Sequence, residues 1–430
     1  MKIQSSTLYP VDNAGQIFIP IHSPKEPTLS RIAVTLKETI NRDQLQKALG
    51  IIIKRFPYFQ VYLKKKVFNY VFEHTNDIPL VEEDTEWTNR YINFRKKTFL
   101  FRIKFSEYTI ALELSHILSD GYGTLSFLMS LLNQYFKLKN KSIEDIDLIK
   151  HPGEQIDEAE WKCGYRNTFS SVGPRLKMFT PAYIPKSKMI SVDKYYNTRI
   201  IMDLANVQFL VKEMHVTLNV YMSAIYVYAL QKMFIEDIKN KITKPNIPIR
   251  MQIPVNLRKY YPSKTLKNFS YVYSPSFYSG NTIYSFQEII KHISNHLRHE
   301  RHTGYLEKQI ARNLRLERNI FFKFTPLFIK NLLFSFFYFL FSRNSFSGIL
   351  TNLGNIELPS SMEDLIDNFN ILPGNSHFLG RISALYSYKG ILEMNIGSSC
   401  NDLRLEKNII SILGELSIKH EVIYKRDSLK

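Results

Sequence analysis

The stretch Ser115-His116-Ile117-Leu118-Ser119-Asp120-Gly121-Tyr122-Gly123 holds the residue types and spacing in this 430-residue chain that point to chemistry. An imidazole titrates near neutral pH, so a histidine held at the edge of a cavity can take a proton from a hydroxyl and return one to a leaving group. An aspartate four residues on and a glycine five on let the loop turn back while the imidazole stays presented. With 11 His, 15 Asp and 16 Gly in the chain, chance matches to H-x-x-x-D-G number about 0.01 to 0.02. A lone histidine after a strand is ordinarily a satisfied structural residue. The spacing around His116 is what points to a base.

The elements that must position this loop follow from periodicity. Residues 99–103 and 108–114 read as two strands joined by a turn around Ser106-Glu107, and Leu125, Leu128, Met129, Leu131, Leu132 and Phe136 recur at helical spacing after the motif. The order is strand, polar loop, helix. Upstream, 32–36 reads as a short strand. Asn41 with Gln44 three residues on then opens a helix bearing Leu45, Leu49, Ile52 and Ile53, which Phe56-Pro57 ends.

Residues 141–190 carry acidic side chains, Gly153, Gly164, Gly173 and prolines at 152, 174, 181 and 185, with weak periodicity, and read as a crossover. Beyond it the pattern gives a strand near 199–202, helices over 204–214 and 218–235, and a strand ending in Ile253-Pro254-Val255. Helices near 284–303 and 305–317, a strand before Asn352, a hairpin around Lys389-Gly390 and a last helix over 406–419 follow. The expected organisation is a mixed α/β chain with an N-terminal lobe over 1–150, a crossover over 151–190 and a C-terminal lobe over 191–430.

Composition excludes several classes. The chain is 44% hydrophobic and 22% charged, unlike collagen-like, disordered or disulfide-scaffold proteins. Only Cys163 and Cys400 are present, so neither a disulfide framework nor a cysteine zinc site can be built. The opening MKIQSSTLYPVDNAGQ has no apolar h-region, which predicts no signal peptide and a cytoplasmic chain. The 57 basic against 39 acidic side chains, a surplus of +18, favour anionic partners. Basic clusters such as Lys64-Lys65-Lys66 are short and scattered and lack any nucleic-acid-binding signature, so no nucleic acid is expected. His292, His296, His299 and His302 share one predicted helix, but Lys291, Arg298 and Arg301 among them favour a solvated or anion-facing surface over a metal site. Dinucleotide, P-loop and serine-hydrolase signatures are absent from the sequence.

The most apolar stretch, 324–341 (FTPLFIKNLLFSFFYFLF), is interrupted by Pro326, Lys330 and Asn331 and is too short to span a bilayer comfortably. It is expected to be a buried or tunnel-lining helix. The alternative is a helix resting on a membrane surface, with Lys323, Lys330 and Arg343 toward phosphates.

Four segments carry a resemblance across nearly the whole chain: 49–59 (LGIIIKRFPYF), the His116 motif, 254–270 (PVNLRKYYPSKTLKNFS) and 351–359 (TNLGNIELP). Together they resemble the CoA-dependent acyltransferase superfamily, which includes chloramphenicol acetyltransferase, BAHD acyltransferases, condensation domains and the alcohol acetyltransferase group. The last is the most similar. The resemblance implies two chloramphenicol acetyltransferase-like lobes with a central substrate tunnel. His116 matches the family's catalytic base, and Asp120 matches the aspartate of the catalytic motif, which points away from substrate and pairs with an arginine. Arg258 lies in that arginine's segment. Gly121 matches the residue that lets the loop turn, and Asn352 and Thr351 fall in the second-lobe site loop, where they are candidates to meet the oxyanion. Ser119 and Tyr122 either contact substrate or pack.

The implied reaction is O-acyl transfer, most simply acetyl, from acetyl-CoA or another acyl-CoA as co-substrate to a small alcohol. No permanently bound cofactor and no metal are needed, because a thioester is already activated. Two alternatives stay open: a donor carried by an acidic carrier protein, and a non-catalytic binding protein of the same fold. The chain departs from condensation domains in having Ser115 where they have a first histidine, and the DFGWG segment of plant-type members is absent.

Overall fold

Strand Thr109–Ser115 sits in the middle of a five-stranded sheet and is buried along almost its whole length. Its neighbours run Ile366–Leu372, Leu29–Leu36, Thr109–Ser115, Phe101–Phe105 and Val81–Glu83, antiparallel except for the last pair. A central strand can hold an acidic side chain only where donors replace water. Glu113 meets that condition: Arg31 Nη1 donates from 3.3 Å and the Asn89 backbone N–H from 2.9 Å. The positive charges of Arg102 and Arg31 hold its carboxyl below the usual range despite burial. The computed structural model describes residues 7–85, 89–94, 96–168, 180–192, 194–280, 282–302, 304–338 and 344–427.

The helix after the motif, Gly121–Leu138, is capped by Asp120. It packs on helix Arg42–Ile52, whose N-cap Asn41 accepts from Gln44 N at 2.9 Å, the start that the Asn41/Gln44 spacing predicts. The core beneath these helices also takes Leu266, Met362, Ile366, Ala384, Tyr386 and Tyr388 from the second half of the chain.

A second, larger sheet is ordered Ser270–Tyr273, Ile249–Asn256, Gly348–Asn355, Arg381–Tyr388, Ile391–Ser398, Tyr195–Asp203 and His420–Asp427, with Ser276–Phe277 also pairing Ile249–Asn256. Strand Gly348–Asn355 runs parallel to both of its neighbours. Helices Leu218–Lys239, Phe286–His302 and Arg404–Glu415 cover this sheet. The hairpin at Lys389-Gly390 has both residues at positive φ, 47° and 76°, the twist a two-residue turn requires.

Several elements depart from the sequence reading. Strand 99–103 lies two residues later, at Phe101–Phe105. Helix Asn13–Ile21, strand Leu8–Pro10 and the hairpin Val61–Lys65 and Tyr70–His74 are additions before the motif. Strand Ile366–Leu372 leaves the second half of the chain to pair with Leu29–Leu36 in the first sheet. Within 141–190 a helix, Gly164–Thr168, and a 3₁₀ turn, Glu158–Glu160, are present, while Gly173 and Pro174 lie outside the described residues.

The apolar segment is the main correction. Helix Leu327–Phe337 is not buried: Phe328 is 66% and Leu332 71% exposed. Lys330, expected at phosphates under the membrane alternative, instead points inward and donates to Phe68 O (2.8 Å) and Lys323 O (3.0 Å). Arg343 and residues 339–341 lie outside the described residues. No helix among the described residues is long and apolar enough to cross a membrane.

Candidate active site

His116 directly follows strand Thr109–Ser115, and its peptide is held from both sides. Its N–H donates to Thr28 O (2.9 Å) and its carbonyl accepts from Asn268 Nδ2 (2.9 Å). The ring stacks on Phe18 of helix Asn13–Ile21, centroids 5.6 Å apart, and stays half-buried. Burial pushes the imidazole below its ordinary value of 6.5, against the opposing pull of the Asp120 charge and a hydrogen bond with the Ser119 backbone. A neutral imidazole at pH 7 has a lone pair to accept a proton. Ser115, just before it, is buried, with Oγ 3.1 Å from Thr28 Oγ1 and accepting from Ile117 N at 3.2 Å.

Asp120 spends both carboxylate oxygens on fastening. Oδ1 accepts from Gly123 N (3.2 Å), capping the helix; Oδ2 accepts from Arg258 Nη1 (2.7 Å) and Phe269 N (2.9 Å). Arg258 in turn donates to Thr265 O (2.9 Å), Lys267 O (2.6 Å) and Asn256 Oδ1 (3.2 Å), and its guanidinium lies 4.6 Å from the centre of the Tyr122 ring. Tyr122 is therefore a platform for Arg258. Ser119 is fully buried and its hydroxyl donates to Leu266 O, which commits its proton to a bridge across 147 positions of chain.

Of the motif's two glycines the confined one is Gly123: a β-carbon there would stand 2.1 Å from both Leu266 O and Ser119 Oγ. At Gly121 a β-carbon would make only ordinary contact with Leu353, at 3.6 Å. Leu353, in strand Gly348–Asn355, therefore lies beside the motif. Thr351 and Asn352 pair with Ala384 and Leu385, and the register then shifts at Gly354, which has φ +87°. Asn352 Oδ1 accepts from Gly354 N (2.8 Å), which leaves the Nδ2 hydrogens for any donor role.

A second group of side chains at this site carries no motif. Asp12 is buried; Oδ1 accepts from Gly15 N (2.6 Å) and Oδ2 from Asn268 N (3.1 Å) and Asn268 Nδ2 (3.0 Å). Asn268 thus joins Asp12 to the His116 carbonyl. Burial pushes the Asp12 carboxyl up, and Lys267 and the hydrogen bonds only partly offset it. Burial likewise pushes Lys267 down to about 8, and its ammonium donates to Pro10 O. The signal that was available is an aspartate before Ala14, Ile17, Phe18 and Ile21 at helical spacing, obscured by Pro20 inside the helix.

The crossover completes the frame. Arg55 donates twice to Glu160 (2.8 Å each) and Tyr58 OH once (2.6 Å), while Glu160 O accepts from Leu266 N (2.7 Å). Through Arg55 and Tyr58 the 49–59 segment therefore holds Glu160, and Glu160 holds the loop beside the site.

On helix Phe286–His302, His296 Nε2 lies 3.2 Å from Glu300 Oε1 and His292 sits against the Phe277 ring. No group of three or more His, Cys, Asp or Glu suited to a metal ion is found among the described residues.

No protein-family model matches the chain, and no curated protein matches it by sequence. Solved structures do match over nearly its full length. Polyketide synthase associated protein 5 from Mycobacterium tuberculosis aligns with a TM-score of 0.61 at 13% identity, covering 96% of this chain and 98% of that one. Trichothecene 15-O-acetyltransferase from Fusarium sporotrichioides aligns at 0.60 and 11%, covering 96% and 95%. A variant of the starter condensation domain of rhizomide synthetase RzmA, solved in complex with C8-CoA, aligns at 0.58 and 11%, covering 96% and 95%. The chain has the mixed α/β fold shared by condensation domains and CoA-dependent acyltransferases.

Proposed function

We propose that this chain is an O-acyltransferase of the alcohol acetyltransferase kind, moving an acyl group, in the simplest case acetyl, from acyl-CoA to a small alcohol. The observation that carries this reading is the strand-end imidazole of His116, clamped at both ends of its peptide and kept neutral by burial. The C8-CoA in the rhizomide condensation domain and the acetyltransferase activity named for the trichothecene protein support the donor and the reaction type.

In this reading His116 takes the hydroxyl proton as the alcohol oxygen attacks the thioester carbonyl, forming the C–O bond. The C–S bond then breaks, and the imidazolium returns the proton to the departing thiolate, giving ester and free CoA thiol. Asn352 Nδ2 is our candidate donor to the oxyanion, with Thr351 beside it. Asp120 and Arg258 position the loop, Gly121 opens the helix that follows it, and Gly123 allows the close approach of Leu266. Lobes over 1–150 and 191–430, the crossover over 151–190 and a tunnel between the lobes belong to the same proposal. So does a reducing cytoplasm, which suits two buried free thiols.

Thiol release from acetyl-CoA with a panel of alcohols tests it, for the parent and for folded His116→Ala. The expected result is alcohol-dependent release that falls by about 10²-fold or more in the variant. Equal activity in both would remove His116 from the mechanism, and inactivity with free acyl-CoA alongside activity with a carrier-bound donor would replace CoA as the partner.

A further inference from the structure

The apolar segment that the sequence places in a core is turned outward and fastened there. Helices Ile320–Phe324 and Leu327–Phe337 present Phe321 (84% exposed), Phe328 and Leu332 to solvent. Phe328, Leu332 and Phe336 follow at four-residue steps, which is one stripe along a helix. The inner side is pinned: Lys330 grips two carbonyls and lies 5.0 Å from the Phe322 ring centre, and Asn331 Nδ2 donates to Tyr70 OH (2.8 Å). Leu327 N donates to Val67 O (2.8 Å) and Phe68 meets Phe324 edge-on, so the 61–74 hairpin tip extends the same face. Val67 at that tip is 69% exposed.

Charge says what this face suits. Residues 319–338 and 61–72 contain no Asp or Glu, whereas Lys65, Lys66 and Lys323 are exposed beside the aromatic and aliphatic side chains. Lys64, also on the hairpin, is paired with Glu73. Bulky apolar side chains bordered by exposed lysines are the composition of a surface that rests in a lipid interface, with rings and Leu among acyl chains and ammonium groups at phosphates. An isolated patch of this kind is otherwise a liability in water.

We propose that this face docks on the surface of an anionic lipid bilayer. Phe321, Phe328, Leu332 and Val67 enter the acyl region and Lys65, Lys66 and Lys323 meet the headgroup phosphates. Helix Leu327–Phe337 also packs on Asn13–Ile21, with Ser335 Oγ donating to Pro20 O (3.3 Å), so the docked face lies one helix away from Phe18 and His116. The docking holds whether or not the chain transfers acyl groups.

Co-sedimentation of the whole chain with vesicles tests it, using phosphatidylcholine alone and phosphatidylcholine mixed equally with phosphatidylglycerol. Binding to the mixed vesicles is expected to be at least about tenfold tighter than to the neutral ones. The combined variant Phe321→Ser, Phe328→Ser, Leu332→Ser, with an unchanged melting temperature, is expected to bind about tenfold more weakly or worse. Should that variant unfold, Lys65→Glu, Lys66→Glu, Lys323→Glu serves instead, and loss of the anionic preference is the expected result. Parent protein that binds neither vesicle, or a folded variant of either kind that binds as the parent does, overturns the proposal. So does a parent dimer that the serine variant converts to monomer without vesicle binding, since a second copy then covers the face.

Discussion

Two aspartates hold the loop beside His116, and they do it with the same grammar. Asp120 caps helix Gly121–Leu138 with one oxygen and takes the Phe269 N–H with the other; Asp12 caps Asn13–Ile21 with one oxygen and takes the Asn268 N–H with the other. Consecutive residues of one loop, Asn268 and Phe269, are thereby tied to the caps of two helices far upstream in the chain. The difference is electrostatic. Asp120 has a guanidinium in direct contact at 2.7 Å, whereas Lys267 serves Asp12 only through its field, its ammonium being spent on Pro10 O. The directly paired site is locked, and burial raises the carboxyl of the indirectly paired one above its ordinary value.

Removing the carboxylate from each site separates the two designs. Asp120→Ala leaves Arg258, nearly buried, with its charge and without its partner. An arginine cannot shed its proton, so the expected cost is about 3–5 kcal/mol in urea unfolding.

Asp12→Ala should cost less, about 2 kcal/mol, from a lost cap and unpaired amide donors. Lys267, already pushed down to about 8, can lose its proton and relieve the isolated charge. The sign with pH is fixed as well. The Asp12 carboxyl is raised from 3.8 in the folded chain, so its contribution is greatest at low pH and shrinks as pH rises through its raised titration. The gap between parent and Asp12→Ala should therefore narrow from pH 4 upward. A gap equal to that of Asp120→Ala at every pH would erase the distinction.

The same contrast explains what was legible in the sequence. Asp120 announces itself because its partners on the helix side lie within three residues and the histidine four before it completes a rare spacing. Arg258 was reachable only through the resemblance of its segment, and Asp12 only as a helix cap; the pairing of Asp12 with Asn268 was not legible, because they meet across 256 positions of chain. Distance in sequence also hid strand Ile366–Leu372: its pattern IDNFNIL is too polar to alternate, and its place is set by Leu29–Leu36 far upstream. The apolar segment failed for another reason. Periodicity marks one stripe of a helix as apolar, and whether that stripe faces a core or the outside depends on which side Lys330 and Asn331 are pinned.

The smallest expected effect is the sharpest test of the pair, and it rests on the acyl-transfer reading. Burial depresses the His116 imidazole below 6.5 and the Asp120 charge partly restores it, while Asp12 does not enter that balance. A base must be unprotonated to act, so kcat/KM should be level near neutral pH and fall as pH drops through the lowered titration of His116, which lies on the acid side of an ordinary imidazole. Replacing Asp120 by Asn removes the charge with little change of shape, so the protonated imidazole loses support and the acid limb should move to lower pH. Asp12→Ala removes an equally anchored aspartate on the other side of the same loop and should leave the limb where it stands, even as it loosens the fold. Matching shifts in both variants would mean that His116 senses how firmly the loop is held rather than the nearby charge. An unmoved limb in Asp120→Asn would take the aspartate out of the electrostatics of the base and leave it a purely mechanical fastening.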